Sequence, residues 1–263
     1  MANRPKIISF LITHYNRPKD LLKCLEAMRL LELDDYEIVV SDDASSQEVL
    51  NTIRAYPIDT LVETSINEGL ASNINRGLKA CKGSYVIYCQ EDFLITAGFK
   101  DILPSLLSNI DNGTADMVRL TAYFRFNKLY KIDDDVSLIP RFSFSNFFQN
   151  YYRYSDHPYI VKRSFYDTYG YYLNNTSGGY GESEYGVRLS RSSVKIAITN
   201  VFYAKGILES NSVMMLEKGR VDVSKKYNKK LVKLLRAFRL YLEWILYKKE
   251  KRGLVTYKNE RNT

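Results

Sequence analysis

An α/β fold, with a mostly parallel central sheet flanked by helices on both faces, is predicted by three observations. Short apolar runs alternate with helical-period segments through the first ninety residues. Each run closes on small polar or acidic residues, as strands do where they open into loops. The chain of 263 residues is 45% hydrophobic and holds only 13 Gly and 6 Pro, enough apolar material for a real core. Ile7–Thr13 (IISFLIT) is a buried strand. In Lys19–Leu31 the residues Leu21, Leu22, Leu25, Met28 and Leu31 recur at helical spacing. Tyr36–Val40 is the second strand, ending at Ser41-Asp42-Asp43. Gln47–Ala55 is a helix, Thr60–Glu63 a weak strand, and Leu70–Cys81 a helix stopped by Gly83. Ser84–Cys89 is the fourth strand. In such sheets ligands bind beyond the carboxyl ends of the strands, which singles out Thr13–Asn16, Asp42–Ser45 and Gln90–Asp92.

The second half is less regular. Phe99–Leu107 is helical, Met117–Phe126 strand-like, and Arg141–Tyr159 carries eight aromatic residues among polar ones. Tyr159–Val161 is a short strand. Glu182–Arg191 is a helix after the glycine-rich stretch Ser177–Gly181, and Val194–Asn200 is again a strand. Ser224–Arg252 is a long amphipathic helix, with Ser224 as its cap. The division is therefore a catalytic-type domain over 1–215 (a first half 1–93 and a second half 94–215) and a tail, 216–263.

The net charge of +8 belongs to that tail, where 15 Lys and Arg face 5 Asp and Glu; the preceding domain is slightly acidic. The helix has three readings: docking on the domain, lying on an anionic membrane surface through residues 224–252, or binding nucleic acid. The last ranks lowest, because no recognition motif accompanies the charge. No run reaches the length of a membrane span, and Cys24, Cys81 and Cys89 lie in no disulfide or metal spacing. A reduced, cytoplasmic setting follows, with peripheral contact to the inner face of a membrane left open.

Only two histidines are present, and no thiol is paired with a base, so triad chemistry is poorly supported. Neither the G-x-x-x-x-G-K-[ST] loop nor G-x-G-x-x-G after the first strand occurs. Carboxylates at strand ends suit two tasks instead: holding a hard divalent cation together with substrate phosphates, and acting as general base. The candidates are Asp42-Asp43, Glu91-Asp92 and Glu182/Glu184.

Four motifs then resemble one family. Thr13-His14-Tyr15-Asn16-Arg17 is similar to the T-x-Y-N-R that opens family 2 glycosyltransferases of the Rossmann-like GT-A fold. Ser41-Asp42-Asp43-Ala44-Ser45 resembles their D-D-x-S. Asn67-Glu68-Gly69-Leu70-Ala71 with Asn75-Arg76-Gly77 resembles N-x-G-L-A…N-x-G. Gly83–Asp92 resembles the strand leading into D-x-D. A fainter likeness runs through Tyr159–Arg163 and Tyr180–Leu189.

The resemblance implies a metal-dependent inverting transfer of a hexosyl or N-acetylhexosaminyl unit from a nucleotide-sugar. The donor would be a UDP-sugar, the acceptor a glycan or lipid-linked saccharide, and the setting capsule, lipopolysaccharide or exopolysaccharide assembly. Thr13, Tyr15, Asn16, Arg17, Asp42, Asp43, Asn67, Gly69, Asn73, Glu91 and Asp92 would form the donor site, with Asp43 more than Asp42 accepting from the base. Asp92, with Glu91, would hold Mn2+ or Mg2+. Glu182 would be the base, with Glu184 the second candidate. The sequence departs from the family in four places. Gln90 replaces the first acid of D-x-D, Ile74 stands where relatives carry an Arg, and the base motif reads Gly181-Glu182-Ser183-Glu184. Tyr203–Gly206 offers Lys205 but no His. These departures motivate the rival reading of a catalytically inactive sugar- or nucleotide-binding scaffold. A nucleotidyltransferase is disfavoured, since Thr13–Pro18 contains no glycine.

Overall fold

The computed structural model describes residues 8–176, 178–207 and 229–246, the side chains of 178–180, 229 and 230 excepted. The first half contains β1 (Ile8–His14), α1 (Pro18–Arg29), β2 (Tyr36–Asp42), α2 (Gln47–Ile53), β3 (Thr60–Val62), α3 (Leu70–Ala80) and β4 (Tyr85–Gln90). There follow β5 (Phe93–Ile95), α4 (Phe99–Asp111), β6 (Met117–Arg119), β7 (Tyr130–Lys131) and β8 (Val136–Leu138). After two short 3-10 turns come β9 (Tyr159–Lys162), α5 (Phe165–Tyr169), α6 (Gly178–Arg191), β10 (Ile196–Thr199), β11 (Ala204–Gly206) and α7 (Lys229–Leu246).

Among the described residues, nine strands form one sheet in the order β3-β2-β1-β4-β9-β6-β10-β8-β7. The first four are parallel, and β9 is antiparallel to both β4 and β6. Strands β5 and β11 pair separately. The alternation of side chains along each strand builds two cores. Phe10, Ile12, Ile38, Val40, Ile87 and Cys89 pack with α1 and α4 on one face. Leu11, Val39, Val86 and Tyr88 pack with α3 and α6 on the other. The second core is rich in tyrosine, and its hydroxyls satisfy one another. Tyr159 meets Tyr166 at 2.9 Å and Tyr172 at 3.0 Å.

The expected strand Met117–Phe126 is only three residues long. Its neighbours β9 and β10 have four residues each, Pro158 precedes β9, and beyond Arg119 the chain has no further partner strand. Helix α6 begins at Gly178 rather than Glu182. The glycines there are not a break: a Cβ on Gly181 would lie 3.0 Å from the Ala71 Cβ and 2.7 Å from Thr176 Oγ1, so glycine lets α3 and α6 approach closely. Strands β5, β7, β8 and β11 and helix α5 are absent from the sequence reading; the strands are two or three residues each and too short to show a period. The expected helix Ser224–Arg252 is seen over Lys229–Leu246. Its proposed cap Ser224 and residues 247–252 lie outside the described residues.

Gly69 caps α3 at φ +90°, and a Cβ there would stand 2.6 Å from the Thr176 carbonyl oxygen. Gly69→Ala is therefore expected to cost about 1–3 kcal/mol of stability, read from the urea midpoint. Gly113→Ala, at φ +71° with nothing within 4 Å, is the comparison and should cost clearly less.

Candidate active site at the carboxyl ends of the parallel strands

Parallel register sets Thr13 beside Ser41 on β2 and Gln90 on β4. The ladder continues past the strand ends. The Asp43 N–H donates to the His14 carbonyl at 3.1 Å, and the Glu91 N–H to the Thr13 carbonyl at 3.2 Å. Loops 13–17, 42–46 and 90–92 thus emerge side by side where the strand order reverses about β1, the crevice where open α/β sheets bind ligands.

Asp42 is fully buried and holds this crevice together. It accepts from His14 Nδ1 at 2.7 Å and from the Ser45 N–H at 2.8 Å and hydroxyl at 2.5 Å. The Arg17 N–H donates to His14 Nε2 at 3.1 Å, so Nδ1 carries the proton. Burial pushes the Asp42 carboxyl up, but the bonds from His14 and Ser45 outweigh it and hold the group below its ordinary value. Asn16, at φ +53°, clasps the next loop, its N–H donating to Ser45 Oγ at 2.8 Å and its Oδ1 accepting from the Ser46 N–H at 2.9 Å. Asn73 Oδ1 accepts from Ser41 Oγ at 2.6 Å, tying α3 to β2. Thr13 is buried, its hydroxyl 3.3 Å from that of Tyr88, and Tyr15 is half-buried in the same loop. The other histidine, His157, packs between Phe93 and Tyr123, and burial lowers its pKa to about 4.

Asp43 orders the third motif. Its Oδ2 accepts from the Gly69 N–H at 2.8 Å, and its Oδ1 from the Glu68 N–H at 3.1 Å and from Arg76 Nη2 at 2.7 Å. Arg76 also pairs with Glu68. Arg76, two residues beyond Ile74 in Asn75-Arg76-Gly77, thus supplies the cation that ties this loop to Asp43. Asn67 lies half-buried at the start of this loop.

The acidic wall lies opposite. Asp92 Oδ2 pairs with Arg17 Nη1 at 3.1 Å, and Glu91 Oε1 lies 3.8 Å from the same nitrogen. Glu91 is 8% exposed; burial, then the charge of Asp92, push its carboxyl up to about 8 despite Arg17. The raised value means that native Glu91 keeps its proton while the unfolded chain has lost it, so stability drains away as pH rises from about 4.5 to 8. In metal-free protein, Glu91→Gln should gain thermal stability over wild type progressively between pH 5 and pH 8, by about 4 °C or more. A difference that stays constant across that window would contradict the assignment.

Glu182 and Asp156 complete the wall. The Asp156 N–H approaches Glu182 Oε1 at 3.4 Å, and the two carboxyl groups share a hydrogen bond. Burial, then the charge of Glu182, raise the Asp156 carboxyl well above the usual range, and Asp92 adds to this. Gln90, in place of the missing acid, uses its Nε2 to hold the Asp156 carbonyl at 3.2 Å. Beneath them Arg119 is 1% exposed and donates to the Tyr152 carbonyl at 2.6 Å and Ser155 Oγ at 2.7 Å. Burial lowers its pKa to about 10, while Glu182, Tyr154 and Asp156 act the other way. Glu184, by contrast, is buried in a two-pronged pair with Arg188 at 3.0 and 2.8 Å. Lys205 is exposed on β11, across from Leu94.

Sequence reading missed Asp156, Arg119 and the part played by Arg76. Asp156 precedes β9, which runs antiparallel to β4, so its position before a strand brings it to the carboxyl ends of the others. That strand direction was the lacking signal.

The residues present fit a hard divalent cation. Asp92 Oδ1 is buried with no hydrogen-bond partner, beside the Glu91 carboxyl. Among the described residues no three His, Cys, Asp or Glu side chains are placed to hold a metal ion by themselves. Mg2+ and Mn2+ bound to a nucleotide commonly use one or two carboxylates, with phosphates and water completing the shell.

A family model described as "Glycosyl transferase family 2" matches residues 9–169. Over 87 residues the chain is 24% identical to an uncharacterized glycosyltransferase of Haemophilus influenzae, covering 33% of this chain and 29% of that protein's length. Among solved structures, TarS 1-349 of S. aureus in complex with UDP-GlcNAc superposes with a TM-score of 0.62 at 13% identity. That match covers 94% of this chain and 77% of TarS 1-349. A mannosyltransferase from Pyrobaculum calidifontis, in complex with GDP-Man and Mn2+, gives 0.54 at 18% identity, covering 76% and 56%. The order of motifs, the sheet and a family match over more than half of its length agree: the chain belongs to glycosyl transferase family 2 and has the GT-A fold.

Proposed function

We propose that this crevice transfers a sugar from a nucleotide-sugar, a UDP-sugar by preference, to a saccharide hydroxyl with inversion. The observation that carries the reading is the ladder that brings loops 13–17, 42–46 and 90–92 side by side, with Gln90 holding the Asp156 carbonyl and the Asp156 N–H 3.4 Å from Glu182 Oε1. Thr13, Tyr15 and Asp43 would receive the nucleoside, with Asn16, Arg17, Asn67, Gly69 and Asn73 shaping their loops and Asp42 supporting them from behind. Asp92, aided by Glu91, would hold Mn2+ or Mg2+, which when bound neutralises the departing diphosphate. Glu182 takes the proton from the acceptor hydroxyl while that oxygen bonds to the anomeric carbon and the carbon–oxygen bond to the diphosphate breaks. The Asp156 N–H, 3.4 Å from Glu182 Oε1, would help to aim the base. The solved relatives were crystallised with UDP-GlcNAc and with GDP-Man and Mn2+, which supports a nucleotide-sugar donor.

A panel of UDP-, GDP-, CDP- and dTDP-sugars, with Mn2+ or with chelator, tests this. The expected result is a rise in melting temperature with a UDP-sugar and Mn2+, together with slow release of UDP. Binding without release from any donor would favour the inactive sugar-binding reading.

No described helix is long and apolar enough to cross a membrane. Helix α7 docks on the domain through Ala237 and Leu240, and Tyr241 donates to the Phe147 carbonyl at 3.0 Å. Its Leu231, Leu235, Phe238, Leu242 and Ile245 are exposed. That stripe and the tail's positive charge support peripheral contact with an anionic, cytoplasmic membrane face. Work on a lipid-linked acceptor in surface polysaccharide assembly fits such a placement.

A further inference from the structure

The docked side of α7 meets the domain beside the proposed base. Lys233 Nζ lies 4.9 Å above the ring of Phe124, and one turn on Arg236 Nη1 donates to the Tyr152 hydroxyl at 2.8 Å. Phe124 and Tyr152 pack ring to ring at 4.4 Å. The neighbouring Tyr151 hydroxyl is 3.1 Å from Ser183 Oγ, next to Glu182. Desolvation lowers the Arg236 pKa, but the bond to Tyr152 and the charges of Tyr152, Tyr151 and Glu182 raise it overall. Among the described residues neither Lys233 nor Arg236 is in an ion pair with a carboxylate. An uncharged saccharide would gain from the two rings by stacking and nothing from the two cations. The guanidinium keeps donors beyond the one given to Tyr152, and the ammonium over a ring keeps its N–H groups. Both suit phosphate oxygens.

We propose that Lys233 and Arg236, with the rings of Phe124 and Tyr152, form the acceptor subsite for a phosphate-bearing saccharide. The helix beyond the matched family segment therefore sets acceptor specificity. This rests on the proposed glycosyl transfer, which makes Glu182 the base that such an acceptor must reach.

With the donor site filled by UDP and Mn2+, binding is measured by calorimetry for several hexose and N-acetylhexosamine 1-phosphates and for the same sugars unphosphorylated. At least one phosphorylated sugar is expected to bind tenfold tighter than its neutral form. The advantage should shrink to within twofold in the Lys233→Ala/Arg236→Ala variant, whose UDP affinity and melting temperature stay at wild-type values. No advantage for any phosphorylated sugar, or an advantage retained in the double variant, overturns the proposal. Failure of the wild type to bind UDP is a different result and removes the donor reading itself. A farnesyl phosphate ester of the same sugar in micelles separates the two sources of phosphate. Tighter binding than the soluble ester, lost in Leu235→Ser/Phe238→Ser, assigns a lipid-borne acceptor; equal binding assigns a soluble one. Both keep the phosphate subsite.

Discussion

Replacing Glu182 by glutamine is expected to lower kcat for sugar transfer about 10^3-fold while leaving the donor KM within about threefold, because a positioned general base contributes roughly that much to rate and nothing to donor binding. Glutamine keeps the size of the side chain and the bond from the Asp156 N–H, so folding should be unaffected. Glu184 gives the contrast. Its carboxylate is 1% exposed and held by both arms of Arg188, so Glu184→Gln should cost stability, about 2–4 kcal/mol, with kcat in the surviving folded protein near wild type. An unchanged melting temperature with a collapsed kcat in Glu184→Gln would exchange the two roles. The sequence left both acids open as bases; the ion pair of Glu184 with Arg188 is what favours Glu182 in this proposal.

Asp92→Asn is the second large effect. The substitution keeps the shape and an oxygen near Arg17 but removes the charge that a hard cation requires. Transfer is expected to fall at least about 10^2-fold in kcat/KM, and its stimulation by Mn2+ to disappear. Arg17, relieved of its partner, should leave the fold intact: the pair is partly exposed, and such pairs contribute at most about 1 kcal/mol. Full activity in chelator, equal in wild type and Asp92→Asn, would show that the protein neutralises the diphosphate with its own cations, Arg76 and Arg17 being the nearest.

The nucleotide half of the fold was legible because its strands are long and buried on both faces. IISFLIT and SYVIYC announce themselves by composition, and the loops after them carry residues with few other uses in that order. The second half was less so, since β5, β7, β8 and β11 are two or three residues long and, apart from the β7–β8 pair, their partners are far away in sequence. Strand direction was the costliest gap. Once β9 turns antiparallel, Asp156 joins Asp92 and Glu182, and nothing local in Tyr154–Pro158 says so. The glycine-rich run before Glu182 misled for a physical reason: glycine can mark a break or a close approach of two helices, and Gly181 against Ala71 is the second. The departures at Gln90 and Ile74 looked like losses of function in one dimension. In three dimensions Gln90 braces the Asp156 carbonyl and Ile74 is buried in the apolar core.

In the proposed function a nucleoside diphosphate and a divalent cation share the crevice above β1, β2 and β4, with Asp92 as the protein's link to the cation. Titrating UDP into the protein by calorimetry tests it most directly, in Mn2+ and then in chelator, for wild type and Asp92→Asn. Wild type is expected to bind saturably in Mn2+, with affinity weakened at least tenfold by either chelator or Asp92→Asn. UDP binding of equal strength under all four conditions, or none under any, would contradict it.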